Sequence, residues 1–506
     1  RQGLITGDND RFLRYWWEVA HSRVRFGGKR GPDITAAQPW APYLKGGPPR
    51  RWAGNELHVV RWARDGFEIR NFFGPSGRQK SRPQNTDFYF RPGLTWSTIA
   101  GEFAMRVADG GAIFDAKGSL LAISDPSNRL RLLGYLNSAL ASRIITTLSP
   151  TLDFPQGPVG QIPVPGGVML PSHADTIIAE CVELARSDWN TSEISMNFRP
   201  KGLDDTQSQL LRSFAETHVD DAKRQVERME ELESTLDAHY SSLVGDANDH
   251  AGFRDVTLNA LELMEALPEQ RLRAICVDVV SFALGCIFGR YSLDESGLIL
   301  ANQGETLRDY LAKVPQPTLM PDADNVIPVV DGDWFEDDVV GLVRQFLRRA
   351  FGEQHFEENL RFLTASIGVK SLRDYFISVR GRSKFYDEHV QRYKKRPIYW
   401  MFSSPKGAFN ALTYMHRYTP TTVSQVLSYL REYVTKLESS LQQAERAGDP
   451  KEADRLRKIL VELNEYEHDT LYPLASQNVV LDLDDGVKAN YPKLGNALKP
   501  IKGLGS

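Results

Sequence analysis

The 506-residue sequence predicts an α+β fold in which a mixed α/β segment precedes a largely α-helical remainder. Residues 1–170 are rich in glycine, proline and aromatic residues, and they contain short runs typical of β-strands. Later residues show long stretches of helical periodicity with charged outer faces. The two patterns predict three domains: the mixed segment at 1–170, a helical middle region at 171–330 and a helical C-terminal region at 331–506.

The mixed segment is predicted to combine short strands with two helices. The strand-like runs read "ELHVVRW", "GFEIRNFF", "TDFYF" and "GAIFDAKGSLLAI". Helical spacing of apolar residues occurs in "DNDRFLRYWWEVAHSRV" and in "RLRLLGYLNSALASRIITTL". The following stretch, "PTLDFPQGPVGQIPVPGG", is so rich in proline and glycine that we expect an extended, non-helical connection and a domain boundary there.

Two helical elements stand out in the remainder. Residues 204–245 keep helical periodicity throughout. Between residues 421 and 475, two charged amphipathic stretches meet at Gly448-Asp449-Pro450, where glycine ends one helix and proline begins the next. The sequence therefore predicts an antiparallel helical hairpin over 421–475. Further upstream, "VIPVVDGDWFEDDVVGLVRQFLRRAFGE" resembles a loop that leads into a capped helix.

Charge is distributed unevenly along the chain. Residues 1–170 contain 22 Lys and Arg against 13 Asp and Glu, a balance of +9, whereas the rest contains 39 against 52, a balance of −13. A basic front segment is typical of a surface that meets a polyanion. The three cysteines have no metal-ligand or disulfide spacing, and no apolar run reaches the roughly 20 residues of a membrane span. We therefore expect a cytoplasmic protein with no membrane contact.

Familiar catalytic patterns are missing from the sequence. It has no P-loop, no His-Glu-x-x-His pair and no Gly-x-Ser-x-Gly elbow. One acidic group could hold a divalent metal in a nuclease, but an acid-rich helix N-terminus explains it better. That group consists of Asp331, Asp333, Glu336, Asp337 and Asp338. No metal site and no catalytic residue is predicted.

The positive signal is a concentration of basic and amide side chains on presumed loops. Arg and Lys bind phosphates and the guanine edge, while Asn and Gln read adenine. The candidate groove and phosphate contacts are Lys45, Arg50, Arg51, Arg78, Lys80, Arg82 and Arg91, with Asn55, Gln84 and Asn85 as candidate base readers. A second cluster, Lys394, Lys395 and Arg396, fits a DNA-backbone contact and a plain solvated loop equally well. The nearby aromatics Trp52, Phe88, Phe90 and Trp96 are better explained as core residues.

Several of these stretches together resemble a known family. "GLITGDNDRFLRYWWEV", "KGGPPRRWAGN", "QNTDFYFRPGLTWSTI", "LSPTLDFPQGPVGQIPVP" and "RYKKRPIYWMFSSPKGAFNALTYMHRY" look like the C-terminal half of the PglX family. Members of that family are the adenine-specific DNA methyltransferases of BREX phage-defence systems, similar in layout to type IIG restriction-modification enzymes. The resemblance runs in order along nearly the whole chain, although each motif alone would be weak.

The resemblance implies a division of labour within a longer enzyme. In the family, an N-terminal Rossmann-like domain binds S-adenosylmethionine and carries an Asn/Asp-Pro-Pro-Tyr/Phe motif for the flipped adenine, and a C-terminal region reads the DNA sequence. "GLITGDND" resembles the segment just after that catalytic core, so we expect the catalytic motifs and the cofactor site to lie outside this chain. The nearest match to the Asn/Asp-Pro-Pro-Tyr/Phe motif in this chain is Asp125-Pro126-Ser127, which lacks the second proline and the aromatic residue.

The expected function is therefore sequence-specific DNA recognition for a BREX-type N6-adenine methyltransferase. The expected partners are double-stranded DNA, the N-terminal methyltransferase domain, other BREX proteins and acidic DNA-mimicking inhibitors made by phage. An alternative of another class is a helical scaffold that docks other phage-defence components, with only incidental DNA contact.

Overall fold

The computed structural model describes residues 1–28, 37–200, 202, 210–245, 254–378 and 380–504. These residues form long helices and small sheets, so the predicted α+β class is confirmed. The chain divides into two compact units by packing. The first unit comprises Arg1–Trp17, His21–Arg199 and His218–Leu267, and the second comprises Glu18–Ala20, Pro200–Thr217 and Pro268–Ser506.

The first unit contains small, mainly antiparallel sheets. Its strands are β1 (Leu13–Tyr15), β2 (Trp40–Leu44), β3 (His58–Arg61), β4 (Gly93–Ser97), β5 (Met105–Ala108), β6 (Ile113–Phe114) and β7 (Gly118–Ala122). One sheet has the strand order β1-β3-β2-β6, with β2 and β6 parallel and the other pairs antiparallel. The other sheet is antiparallel with the order β5-β4-β7, in which Leu94 lies opposite both Val107 and Leu121.

Helices accompany these sheets in the same unit. They are α1 (Asn9–Phe12), α2 (Ala63–Arg70), α3 (Pro126–Leu136), α4 (Ala139–Leu148), α5 (Gln156–Gly160), α6 (Ala174–Asn190), α7 (Leu211–Leu243, in this unit from His218 on) and α8 (Asn259–Glu265). Asp125 caps α3 through a hydrogen bond from the Asn128 amide, and Pro126 occupies the first helical position. The caps thus fix where α3 begins.

Two apolar cores hold the first unit together. The larger core joins the β5-β4-β7 sheet to α3, α6 and α7 through buried side chains that include Leu94, Met105, Leu133, Ile178 and Met229. The smaller core contains Phe12, Val60, Trp62, Ile69 and Phe114. Because α6 and most of α7 share a core with the sheets, the packing division does not coincide with the predicted boundaries at 170 and 330. As functional boundaries, those two positions stay predictions.

The second unit is mainly helical. Its helices are α9 (Pro268–Ile287), α10 (Leu307–Lys313), α11 (Val339–Phe351), α12 (Phe356–Ile367), α13 (Leu372–Phe376), α14 (Lys384–Arg392), α15 (Thr422–Arg446), α16 (Pro450–Tyr466), α17 (Tyr472–Gln477) and α18 (Val487–Asn490). An antiparallel sheet with the order β8-β10-β9 was not predicted; its strands are β8 (Ile327–Pro328), β9 (Tyr399–Ser403) and β10 (Asn410–Tyr414). All residues of β10 are buried.

The predicted helical hairpin is confirmed. Helices α15 and α16 join at Gly448, which has a φ of 71°, and Asp449 caps α16 by accepting a hydrogen bond from the Glu452 amide. The predicted capped helix is confirmed as α11, where Asp338 accepts a hydrogen bond from the Gly341 amide. Of the predicted helix at 204–245, residues 204–209 lie outside the described residues, and α7 covers most of the rest.

Four local predictions for the first unit were wrong. "DNDRFLRYWWEVAHSRV" is α-helical only in α1, because Leu13–Tyr15 instead pair with β3 as a strand and the turns at Trp16–Glu18 and His21–Arg23 are 3-10 helices. "GFEIRNFF" contains most of α2 rather than a strand. The proline-rich connection at 150–167 contains α5, whose Pro158 lies in the first turn, where a helix loses no hydrogen bond to proline.

"TDFYF" is not a strand either, since Thr86–Phe88 form a 3-10 turn. The interpretation of the nearby aromatics as core residues is confirmed for Trp52, Phe90 and Trp96, which are buried, and Phe88 is half-buried.

Candidate nucleic-acid interface

Residues 61–82 form a compact projection of the first unit, which we call the basic segment. It leaves β3, passes through α2 and turns back on itself around residues 74–77. The Gly74 amide donates to the Arg78 carbonyl at 2.8 Å, and the Lys80 amide donates to the Phe72 carbonyl at 2.9 Å. These bonds close a small antiparallel loop whose returning side carries Arg78 and Lys80.

The base of the basic segment is fixed in the smaller core. Trp62 and Ile69 are fully buried, and the buried Ser81 hydroxyl donates to the Ile69 carbonyl. Arg82 pairs with Ile5 by two backbone hydrogen bonds of 2.7 and 3.0 Å. The ends of the segment are therefore rigid, and its charged side chains face outward from a defined backbone.

The charge balance of the basic segment favours an anionic partner. It contains six cations, at positions 61, 64, 70, 78, 80 and 82, and two acids, Asp65 and Glu68. Both acids are already neutralised, since Asp65 pairs with Arg70 and Glu68 pairs with Arg61, each at 3.1 Å. The remaining cations are exposed and form no ion pair with any residue that the structure describes: Arg64, Arg78, Lys80 and Arg82.

Further cations extend this surface by stacking on aromatic rings. The Arg11 guanidinium lies 5.1 Å from the Phe72 ring centroid, and the Lys80 ammonium lies 5.4 Å from the same ring. Arg1 and Arg91 lie 4.9 and 5.4 Å from the Phe88 ring centroid. Cation–π contacts of this kind restrict long side chains without neutralising their charge. The term "basic surface" below means the four unpaired cations of the segment together with Arg1, Arg11 and Arg91.

Sequence reasoning missed part of the basic surface. Arg1, Arg11 and Arg64 were not predicted, because Arg11 and Arg64 are single arginines next to acids in the sequence and Arg1 stands apart from the other loop cations. The fold brings Arg1 beside Phe88, Arg11 beside Phe72 and Arg64 beside Phe67. Contact with an aromatic ring cannot be recognised from an isolated charge in a sequence.

Arg50 and Arg51 correct the expectation of an exposed loop. Both are buried, with 5% and 0% of their surface exposed. Arg50 pairs with Asp188 at 2.6 Å and Arg51 pairs with Glu233 at 2.9 Å. A buried guanidinium requires such partners. Neither side chain is free to reach a duplex from this position, so we do not carry them into the proposal.

The predicted amide readers lie in different environments. Asn55 is buried and donates to the Pro48 carbonyl at 2.9 Å. Gln84 is half-buried, whereas Asn85 is exposed and donates to the Gln2 carbonyl at 2.8 Å. Lys45 is also half-buried, and burial lowers the pKa of its amine. Among the four, Asn85 therefore remains the most accessible candidate for base contact.

The second predicted cluster lies in the second unit, just after α14. Lys394 and Lys395 are exposed and have φ values of 53° and 60°, in the left-handed region. Arg396 is half-buried, donates to the Lys395 carbonyl at 3.0 Å and lies 3.8 Å from the Glu18 carboxylate. The two lysines thus present charge to solvent, while Arg396 is held by its own unit.

The acidic group before α11 is occupied by contacts within its unit. Asp338 caps the helix and pairs with Arg373 at 2.6 Å, and Asp333 pairs with the same arginine. The Tyr429 hydroxyl donates to the Asp337 carboxylate. Across the described ranges, no group of three or more His, Cys, Asp or Glu side chains is arranged to hold a metal ion.

A cavity of about 240 Å³ opens within the first unit. Its lining includes Glu56, Arg91, Arg186, Trp189 and Asn190. Burial raises the pKa of the Glu56 carboxyl, although the Arg106 guanidinium opposes the shift. The cavity therefore combines an aromatic wall with charges of both signs.

These residues do not fit S-adenosylmethionine. A Rossmann-like site needs parallel strands joined by helices, with the ligand at the carboxyl ends of the strands. In the part of the chain that the structure describes, the sheets are antiparallel apart from the short pairing of β2 with β6. The cavity is also smaller than the roughly 300–1,000 Å³ of typical cofactor pockets.

The first unit thus presents a cluster of exposed cations, and sequence comparison relates the whole chain to adenine-specific methyltransferases. The chain is 31% identical over 538 residues to the adenine-specific methyltransferase PglX of Lacticaseibacillus casei (strain Zhang), covering 97% of this chain and 42% of that protein. It is 29% identical over 541 residues to the adenine-specific methyltransferase BrxX of Escherichia coli O9:H4 (strain HS), covering 99% of this chain and 43% of that protein. The predicted resemblance to PglX is confirmed.

The chain spans less than half the length of these curated relatives. A scan against protein-family models found no match. None of the described helices has both the length and the apolar character needed to cross a membrane.

Proposed function

We infer that this chain is the DNA-recognition part of a site-specific N6-adenine methyltransferase that acts in BREX-type phage defence. The observation that carries the proposal is the basic segment, in which every acid is already paired and four exposed cations are not. The likeness to two adenine-specific methyltransferases supports duplex DNA as the polyanion that such cations would meet, because DNA carries both adenine and a chain of phosphates.

The physical role of the basic surface would be to grip DNA during base extrusion. An enzyme that modifies a base inside a duplex must first unstack it, at a cost of a few kcal/mol. Phosphate contacts from Arg78, Lys80, Arg82 and Arg91 would offset that cost and fix the register of the duplex. Asn85 is the accessible candidate for reading a base edge.

Catalysis would then depend on the longer protein. We propose that S-adenosylmethionine binds a methyltransferase domain that the present residues do not supply, and that the enzyme works in the cytoplasm beside other BREX proteins. The residues of this chain would bind and orient the duplex, and no chemical step is assigned to them.

The proposal is tested by the salt dependence of duplex binding to the 506-residue chain. Fluorescence anisotropy between 50 and 200 mM salt should give a linear fall of log affinity with log salt. The triple variant Arg78→Gln/Lys80→Gln/Arg82→Gln should bind more weakly, with the slope reduced by about 2 to 3, since each lost phosphate contact removes about 0.9.

A matched control removes charge elsewhere. Arg446 and Lys451 are exposed cations beside the turn of the helical hairpin. The double variant Arg446→Gln/Lys451→Gln should keep the slope of the unmodified chain. A triple variant that keeps the full slope, or a chain whose duplex affinity hardly depends on salt, would contradict the proposal and favour the scaffold alternative.

A further inference from the structure

Two phenylalanines on the basic segment are unusually exposed. Phe67 and Phe73 keep 52% and 53% of their surface accessible. A single exposed apolar residue is ordinary on a protein surface. Here, however, two aromatic rings lie within seven residues of sequence, among Arg64, Arg78 and Lys80. The combination places two exposed aromatic rings on one cationic segment, with the Arg64 guanidinium 4.9 Å from the Phe67 ring centroid.

The backbone holds Phe67 in place at an energetic cost. Arg64, Asp65 and Gly66 have φ values of 50°, 52° and 74°, so three successive residues lie in the left-handed region. Two of them are not glycine, and such conformations persist only where surrounding contacts enforce them. The Arg70 side chain supplies one contact, donating to the Asp65 carbonyl at 2.7 Å.

Gly66 itself cannot be replaced without a clash. A Cβ at this position would lie 2.6 Å from the Trp62 ring. The turn is thus packed against a buried indole, and it reorients the chain within α2 just before the exposed Phe67. Such a strained turn is expected where orientation of the following residue matters.

Phe73 is fixed by a different set of contacts. It lies opposite Gln79 in an antiparallel bridge, and the side-chain amide of Gln79 donates to the Arg70 carbonyl at 2.8 Å. The Asn71 side chain donates to the Phe67 carbonyl at 2.8 Å. This bond helps to fix the backbone between Phe67 and Phe73. Both rings are therefore held by an ordered backbone rather than by a free loop.

The charge around the rings selects the occupant. An apolar protein partner would have to cover four unpaired cations, whereas a nucleic acid offers phosphates for the cations and flat apolar base faces for the rings. We propose that Phe67 and Phe73 contact the faces of unstacked DNA bases while the neighbouring cations hold the backbone. This inference rests on the proposed function. It adds that the basic segment contacts DNA at a step where the stacking of the bases is disrupted.

Duplexes of defined structure test the inference. Binding of the 506-residue chain is compared between a fully paired duplex and the same duplex with two unpaired adenines at its centre. The chain should prefer the second, and Phe67→Ala/Phe73→Ala should weaken that binding by about 5- to 100-fold, the range seen when stacked aromatics are removed. The salt slope should not change, because no phosphate contact is lost.

Two controls separate stacking from general apolar loss. Phe67→Tyr/Phe73→Tyr keeps the ring faces and should retain the preference for unpaired bases. Val461, with 57% of its surface exposed on α16, provides an apolar control, and Val461→Ala should have no effect. Thermal melting of each variant shows that it is folded, which is expected because more than half of each ring is already in solvent.

Each outcome decides between the two proposals. Normal salt-dependent binding with no loss in the double alanine variant would overturn the stacking role and leave the DNA-recognition proposal intact. If Phe67→Ala/Phe73→Ala lost binding to an acidic DNA-mimicking protein but kept its binding to DNA, the two rings would belong to a protein interface. That result would also overturn the inference. Absence of salt-dependent DNA binding by the unmodified chain would instead remove the proposed function itself.

Discussion

Arg51 and Glu233 form a buried two-point ion pair within the first unit. The Nε and Nη2 atoms of Arg51 donate to the two carboxylate oxygens of Glu233, each at 2.9 Å. The Trp52 indole donates to the same carboxylate at 2.6 Å. Arg51 follows β2 in the sequence and Glu233 lies on α7, so the pair ties a sheet-side loop to a long helix across 182 residues.

Removing one member of this pair should strongly destabilise the chain. Arg51→Met leaves the Glu233 carboxylate buried without its main counter-charge, which typically costs about 3–5 kcal/mol. Urea unfolding should show the loss as a lower midpoint. Arg228→Met, which breaks exposed pairs with Glu180 and Glu231, should lower the midpoint much less. Equal losses in the two variants would contradict a structural role for Arg51.

An acidic DNA-mimicking protein should compete with duplex DNA for the basic surface. The competitor would meet the same unpaired cations, so its affinity should also fall as salt increases. Competition anisotropy with labelled duplex measures the effect. Direct binding of the inhibitor to a variant with Arg78, Lys80 and Arg82 reversed to Glu should be lost, and inhibitor binding that survives this change would show that the inhibitor binds elsewhere.

Lys394 and Lys395 should contribute to DNA binding without affecting stability. Both are exposed, so Lys394→Gln/Lys395→Gln should weaken duplex binding uniformly across sequences and reduce the salt slope by about 1 to 2. The melting temperature should stay unchanged. A full slope in this variant would mean that the two lysines are solvated and do not reach the duplex.

Asp322 should make stability depend on pH. Burial and the nearby Asp324 carboxylate raise the pKa of Asp322 to about 7, against the opposing effect of Arg417. The unfolded chain loses this proton near pH 4, so unfolding releases a proton between about pH 4 and 7 and the free energy of unfolding falls as pH rises through that range.

Asp322→Asn removes that penalty. The stabilisation of this variant relative to the unmodified chain should grow by about 2 to 3 kcal/mol from pH 5 to pH 8, measured by urea unfolding at each pH. Asp454, an exposed residue whose pKa is lowered by a hydrogen bond from Lys458, is the control, and Asp454→Asn should show no such gain. An equal effect of Asp322→Asn at both pH values would contradict the assignment.

Local signals predicted the elements that depend on local contacts. Gly448, Asp449 and Pro450 end one helix and begin the next by their own backbone preferences, and Asp338 caps α11 through a residue three positions away. The β1 strand could not be predicted in this way, because Leu13 becomes a strand only by pairing with Val60. Tertiary pairing there overrides helical periodicity.

The same distinction applies to the candidate site. Arg78 and Lys80 are on a glycine-containing loop, and that local pattern correctly placed them on the surface. Arg50 and Arg51 have the same composition around them, yet their carboxylate partners lie 138 and 182 residues away. A basic loop and a buried ion pair look alike in a sequence until the distant acid is located.

The turn between α15 and α16 has a practical consequence. Gly448 and Asp449 lie at its exposed tip, and the described contacts there are those of the hairpin itself. Chain tips of this kind accept inserted residues without disturbing a core. A short epitope or a dye-reactive cysteine placed after Gly448 would give single-molecule and pull-down studies a handle remote in sequence from the cationic loop, so that occupancy on DNA could be followed without altering the atoms that hold it.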